Sequence, residues 1–170
     1  DFGLIPHPEF TAFGASPDGI CEDTGNDEYL GRMVEIKCPP KRKFTKTVPP
    51  AYLSQVLGQL EVCDLDECDF FQVKLEEYES FQEYCHDTFE IDGVVQKGRT
   101  SLNYPKSAAA TYKVGDKLSY EFLTLNPTNE EVKEWVDGHI TKENFFEIKY
   151  WRIERYECTL VRRDKKWWID

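Results

Sequence analysis

The sequence has no Cys-x-x-Cys pair, little positive charge, and no apolar run approaching the roughly 20 residues of a membrane-spanning helix. Each shortage removes a class of function. The six cysteines, Cys21, Cys38, Cys63, Cys68, Cys85 and Cys158, are scattered, which argues against a zinc cluster. A disulfide framework is unusual in a chain of 170 residues, so reduced thiols in a cytosolic or nuclear compartment are expected. Lysine and arginine number 21 against 32 aspartates and glutamates, a net charge of −11. That balance opposes a protein that coats nucleic acid with a broad basic surface, because phosphate contacts need Lys and Arg. It leaves room for an enzyme that meets phosphates through a local basic patch and bound cations. The opening Asp-Phe-Gly-Leu-Ile-Pro lacks the basic start and cleavage site of a secretory signal, and no initiator Met is present. A processed, trimmed or excerpted chain is therefore expected. What is present suffices for a core: 40% of residues are apolar and 14% aromatic, against disorder.

The stretch from Gly14 to Pro39 organises the rest. Pro17 fixes φ and Gly19 permits a positive one, so Gly14 to Cys21 reads as a turn carrying Asp18. Leu30 to Cys38 reads as the returning strand of a hairpin. Side chains alternate along a strand, so Val34, Ile36 and Cys38 share one face and Glu35 and Lys37 the other. The apolar set is expected to pack on the core, leaving the acid and the base side by side on the open face. Before this stretch, Leu4 to Phe13 reads as an irregular extended lead-in broken by Pro6 and Pro8. After it, Lys41, Arg42, Lys43 and Lys46 form a basic loop, either solvated or in contact with a DNA backbone beside Lys37.

A helix is expected from Pro50, with Leu53, Val56, Leu57 and Leu60 as its core-facing stripe. Gln55 and Gln59 lie on a neighbouring face and by pattern alone are ordinary exposed positions. Cys68 to Tyr78 reads as a strand, and Glu79 to Asn126 as an insertion or peripheral hairpin with a strand at Leu118 to Leu125. Thr128 and Glu131 make a capping box for a short helix. Phe145 to Arg163 reads as one long strand or two, and Asp164 caps a terminal helix bearing Trp167 and Trp168. His7, His86 and His139 show no metal-ligand spacing and are read as structural. The acidic cluster at Asp64, Asp66, Glu67 and Asp69 lacks the glycine and glutamate of a calcium loop.

A Glu-x-Lys triplet alone means little, since the chain also has Glu131-Val-Lys133 and Glu147-Ile-Lys149. Only Glu35-Ile-Lys37 has a Pro-Asp turn upstream and a basic loop and amide-bearing helix downstream. Asp18 and Glu35 supply hard oxygen donors suited to Mg²⁺ or Mn²⁺, with Lys37 as a compact cation for a phosphate under attack.

In this order, Ser16-Pro17-Asp18-Gly19, Val34-Glu35-Ile36-Lys37-Cys38-Pro39 and Tyr52-Leu53-Ser54-Gln55-Val56 resemble the PD-(D/E)XK nuclease superfamily. Within it they look like the phage lambda exonuclease or YqaJ-type viral recombinase branch carried by large DNA viruses. Trp151 and Arg163-Asp164-x-x-Trp167 are similar to the large-virus members. The resemblance is dense over residues 10–78 and thinner over 145–170. It implies that Asp18 and Glu35 bind Mg²⁺, for which Mn²⁺ substitutes, with the backbone carbonyl of Ile36 as a further ligand. Lys37 would position or activate the attacking water, Gln55 would complete the catalytic set, and Ser16 and Tyr52 would border the DNA.

The fold so implied is α/β, a central mixed β-sheet flanked by helices with a restriction-endonuclease-like core. One nuclease domain over residues 1–170 is expected, with core motifs at 10–78, an inserted or peripheral β-rich segment at 79–126, and C-terminal strands and a helix start at 128–170. The resemblance implies a 5′-to-3′ exonuclease on double-stranded DNA ends in viral recombination or repair, in the cytoplasm or nucleus of an infected host cell. It also implies a homo-oligomer or a single-strand-annealing recombinase as partner, and no membrane. The residues leave open an endonuclease of the same fold, or a catalytically impaired DNA-binding recombination module. Family members carry a further acidic residue on an upstream helix. The fifteen residues before Ser16 hold no convincing helix, so those helices are expected to lie outside this sequence.

Overall fold

The computed structural model describes residues 3–22, 25, 27–39, 46–91, 94–97 and 105–169. They form two compact units, Asp1–Val73 with Tyr156–Asp170, and Lys74–Arg155. In chain order come β1 (Ile5–Pro6), β2 (Gly14–Ala15), β3 (Gly19–Ile20), a 3₁₀ turn (Asp27–Tyr29), β4 (Met33–Lys37), α1 (Pro50–Val62) and β5 (Glu67–Tyr78). There follow α2 (Phe81–His86), β6 (Thr88–Ile91), β7 (Val94–Lys97), β8 (Lys106–Val114), β9 (Lys117–Phe122), α3 (Asn129–His139), β10 (Phe145–Arg162) and α4 (Lys165–Ile169). No helix among the described residues is long and apolar enough to cross a membrane.

In the first unit, β3 pairs antiparallel with β4 and β4 pairs in parallel with β5, so that Glu35 lies opposite Phe70 and Lys37 opposite Gln72. Parallel neighbours require a crossover connection, and α1 supplies it. The strand order here is β3-β4-β5-β10. Pro50 opens α1, where the missing N–H is no loss. The far end closes with Asp64 in the left-handed region at φ 52. There the Asp64 N–H donates to the Glu61 carbonyl at 3.2 Å and the Leu65 N–H to the Leu60 carbonyl at 3.0 Å, the paired bonds of a Schellman cap. Leu65 packs back on a core of Met33, Val56, Leu57, Leu60, Cys68, Phe70 and Val161. Leu53 does not join them and stays 37% exposed.

The two faces of β4 are inverted relative to the sequence-based expectation. Met33 is 0% and Glu35 2% exposed, whereas Ile36 is 45% exposed. The face with Met33, Glu35 and Lys37 turns toward α1, because α1 offers hydrogen-bond donors to Glu35 and apolar partners to Met33. Val34 and Ile36 take the other side.

In the second unit the order is β5-β10-β8-β9, with β8 antiparallel to both its neighbours β10 and β9. β8 was not anticipated. Its residues Lys106 to Tyr112 are buried, and Ala108, Ala109 and Ala110 leave room for α3 to pack on it. α3 has the expected capping box: the Glu131 N–H donates to Thr128 Oγ1 at 3.2 Å and the Thr128 N–H to Glu131 Oε2 at 2.7 Å. It runs on to His139. Lys106 is fully buried. Its ammonium donates to the Tyr84 carbonyl at 2.7 Å and sits 4.0 Å from that ring's centroid. Desolvation moves its pKa down, against the opposing pull of Asp87. β6 and β7 form a separate two-stranded hairpin. The α/β class and the mixed sheet are as expected, and the strand at 118–125 appears as β9.

The inversion of β4 has a direct test. Met33→Ala should destabilise by about 2–5 kcal/mol, as buried Met truncations do, and Ile36→Ala by about 0.5 kcal/mol or less. Urea unfolding midpoints of the two variants decide the ordering; equal losses would contradict the observed facing.

Candidate active site

Three N–H donors converge on the Glu35 carboxylate. Gln55 Nε2 donates to Oε1 at 2.7 Å and Gln59 Nε2 to Oε2 at 3.0 Å. Lys37 Nζ donates to Oε1 as well, forming an ion pair with it. The geometry follows from two periodicities. Residues four apart on a helix lie one above the other, so both amides of α1 reach one carboxylate. Residues two apart on a strand share a face, so Lys37 stands beside Glu35. Gln59 also donates to the Ser16 carbonyl at 3.4 Å, linking the turn to the helix.

Asp18 is exposed and reaches the strand at the adjacent position, its Oδ2 accepting the Ile36 N–H at 2.7 Å. Lys37 Nζ lies 5.2 Å from the centroid of the Tyr52 ring, which itself packs on Phe70 at 5.8 Å. The side chain of Lys37 is 22% exposed against 3% for Glu35, so solvent reaches the ammonium rather than the carboxylate. Among the described residues no group of three or more His, Cys, Asp or Glu gathers as a metal cluster. The donor set is nevertheless of the right kind for a hard divalent ion, which takes few carboxylates and completes its shell with waters and phosphate. The sulfurs nearby are poor competitors. Burial, then the charge of Asp18, raises the Cys38 thiol above its ordinary value, and burial, then the charge of Glu35, pushes Cys68 up to about 12.

Of the residues singled out from sequence, Glu35, Lys37 and Gln55 are in direct hydrogen-bonded contact, with Asp18 tied to the residue next to Glu35. Ser16 contributes its carbonyl, and Tyr52 borders Lys37. Lys46 is exposed. Lys41, Arg42 and Lys43 lie outside the described residues. Gln59 was missed as a site residue. Its spacing of four from Gln55 was the available signal. The rival triplets have other partners: Glu131 caps α3, and Lys149 Nζ donates to Glu77 at 2.8 Å.

Residues 2–66, which hold Asp18, Glu35, Lys37, Gln55 and Gln59, match the YqaJ-like viral recombinase domain. The chain is also similar to an uncharacterized protein, R354, of Acanthamoeba polyphaga mimivirus. The two are 29% identical over 199 aligned positions, covering 98% of this chain and 36% of the viral protein. The chain thus spans little more than a third of that relative's length. The matched stretch contains the whole hydrogen-bonded set around Glu35, and the α/β fold with its mixed sheet is consistent with a restriction-endonuclease-like architecture.

Removing one donor tests how far the first unit relies on this set. Gln59→Leu should lower stability by about 1–3 kcal/mol, the usual cost of depriving a buried acceptor of its partner. An unchanged unfolding midpoint would show that Gln59 does not support Glu35.

Proposed function

We propose that this chain hydrolyses phosphodiester bonds of DNA with a divalent metal ion, as a 5′-to-3′ exonuclease on duplex ends in viral recombination. The observation that carries the reading is the buried Glu35 carboxylate held by Gln55, Gln59 and Lys37 beside Asp18, all within a YqaJ-like domain. Asp18, Glu35 and the Ile36 carbonyl would hold Mg²⁺, with Mn²⁺ as a substitute. Such an ion supplies Lewis-acid charge neutralisation at the phosphate and acidifies water.

The protein's own residues do the rest. Gln55 and Gln59 lock the Glu35 carboxylate in one orientation. Both are neutral, so they replace its lost hydration without cancelling its charge. Lys37 places an ammonium on the same strand face, where it stabilises negative charge gathering on the phosphoryl oxygens and orients the attacking water. The Tyr52 ring beneath the ammonium limits where it can swing. Serine, glutamine and tyrosine at the edge of this set suit contacts to a sugar–phosphate backbone, which position a substrate without reading its sequence. The polarity, the preference for ends and any oligomeric or annealing partner rest on likeness to the family, as does a role inside an infected cell.

The test is cleavage of 5′-phosphorylated linear duplex DNA in Mg²⁺, with EDTA expected to abolish it. Lys37→Ala should slow cleavage by about 10²–10³-fold or more, in line with loss of one charge-stabilising donor, while leaving DNA binding largely unchanged. Full activity in that variant would remove Lys37 from the mechanism. Cleavage of closed circular DNA at the linear rate would replace the exonuclease reading with an endonuclease one.

A further inference from the structure

Beside the Glu35 set lies a cleft of about 380 Å³, lined by Phe13, Ser16, Ser54, Gln55, Gly58 and Trp167 among others. We propose that this cleft receives a nucleobase of the DNA strand under attack, an inference that rests on the nuclease reading above. Its volume lies within the range of ordinary small-molecule sites. None of its described lining residues carries a charge, so it suits a flat neutral group better than a phosphate.

Three observations converge. The first is continuity with the site: Gln55 lines the cleft and its amide is bonded to Glu35. A base seated there belongs to a nucleotide whose phosphate lies near the carboxylate. The second concerns the two tryptophans. Trp168 is fixed, stacked on His7 at 5.4 Å and 7° and held by the edge of Phe13 at 5.5 Å. Trp167 has no stacked ring among the described residues and remains 40% exposed. Aromatic faces of this kind stack on any base, independent of sequence.

The third is Gly58. A glycine in a helix interior is less favourable than alanine, and here neither conformation nor packing demands it. It is not among the positive-φ residues, and a Cβ added to it would meet nothing within 4 Å. The missing side chain keeps the cleft open. Ser16 and Ser54 stand at its border as groups able to meet the polar edge of a base.

Duplexes carrying one abasic nucleotide at successive positions from the end, cut by the wild-type chain and by Gly58→Leu in Mg²⁺, test the idea. Leucine is the better helix former, so the substitution fills the cleft without weakening α1. Wild type should slow about tenfold or more at one abasic position, the scale of a lost base stack. Gly58→Leu should cut intact DNA at that reduced rate and show no further sensitivity. A wild type indifferent to every abasic position overturns the proposal, and so does Gly58→Leu with undiminished sensitivity. If the wild-type chain cuts no DNA at all, the nuclease reading fails and tryptophan emission decides the cleft separately. Quenching by a short single-stranded oligonucleotide, lost with an all-abasic strand and in Trp167→Phe, supports it. Equal quenching by both strands, or none, rejects it.

Discussion

A carboxylate taken out of water costs several kcal/mol unless hydrogen bonds replace its hydration, and Glu35 is almost wholly buried. The first unit meets this cost with two amides from one helix and one ammonium from the same strand. The choice of donor matters. An arginine would neutralise the carboxylate with a bidentate pair, leaving it little reason to bind a cation. Glutamine amides solvate it and leave its charge available. The one charged partner among the described residues, Lys37, is the one with access to solvent. The facing of β4 follows from this arrangement, because the strand must present Glu35 to α1 even though Ile36 is then left outside.

α1 is the element on which distant parts of the sequence meet. β2 and α4 both pack against it. Its C-terminal end is clasped by Arg163, which bonds Glu61 at 2.8 Å and Asp64 at 2.6 Å. Asp164 then caps α4 through the N–H groups of Lys166 and Trp167 at 3.0 and 3.2 Å. His7 accepts the N–H groups of Glu9 and Phe10 at 3.0 and 3.1 Å and stacks on Trp168. Residues separated by most of the chain length thereby meet on the one helix that also carries Gln55 and Gln59. Precise placement of a hydrogen-bonded polar set needs a supporting shell of this kind.

The parts of the fold that announce themselves locally were legible in the sequence. The Pro17-Asp18-Gly19 turn and its returning strand, the proline start of α1, the Thr128 capping box and the Asp164 cap each depend on residues a few positions apart. What depends on the opposite side of a contact was not. Alternation groups Val34 with Ile36 and Glu35 with Lys37, but it does not say which pair faces inward. Apolarity pointed one way, and the amides of α1 decided the other. Gln59 was hidden for the same reason, since a buried polar contact leaves no mark on a hydrophobic period. β8 was missed because alanine is a weak strand former and a fully buried strand shows no alternation. Only its neighbours in space make Ala108 to Ala110 a strand.

A net charge of −11 opposes the DNA substrate proposed above, yet the acids are not idle charges spread over one surface. Glu67 and Asp69 face Arg32, with Arg162 also on Glu67, and Glu61 and Asp64 face Arg163. In the second unit Glu76 and Asp87 face Arg152, and Glu77 faces Lys149. Such pairs cancel at short range, and beyond about 8 Å physiological salt screens what remains. The field a phosphate meets is therefore set by the groups within reach of it. Around Glu35, among the described residues, these are Lys37, uncharged amides and hydroxyls, and Asp18. On the nuclease reading proposed above, a carboxylate pair there would repel DNA until a divalent cation occupied it and would attract it afterwards. Substrate and metal would then favour each other's binding by linkage, and the acidity of the site would couple the arrival of DNA to the presence of the ion.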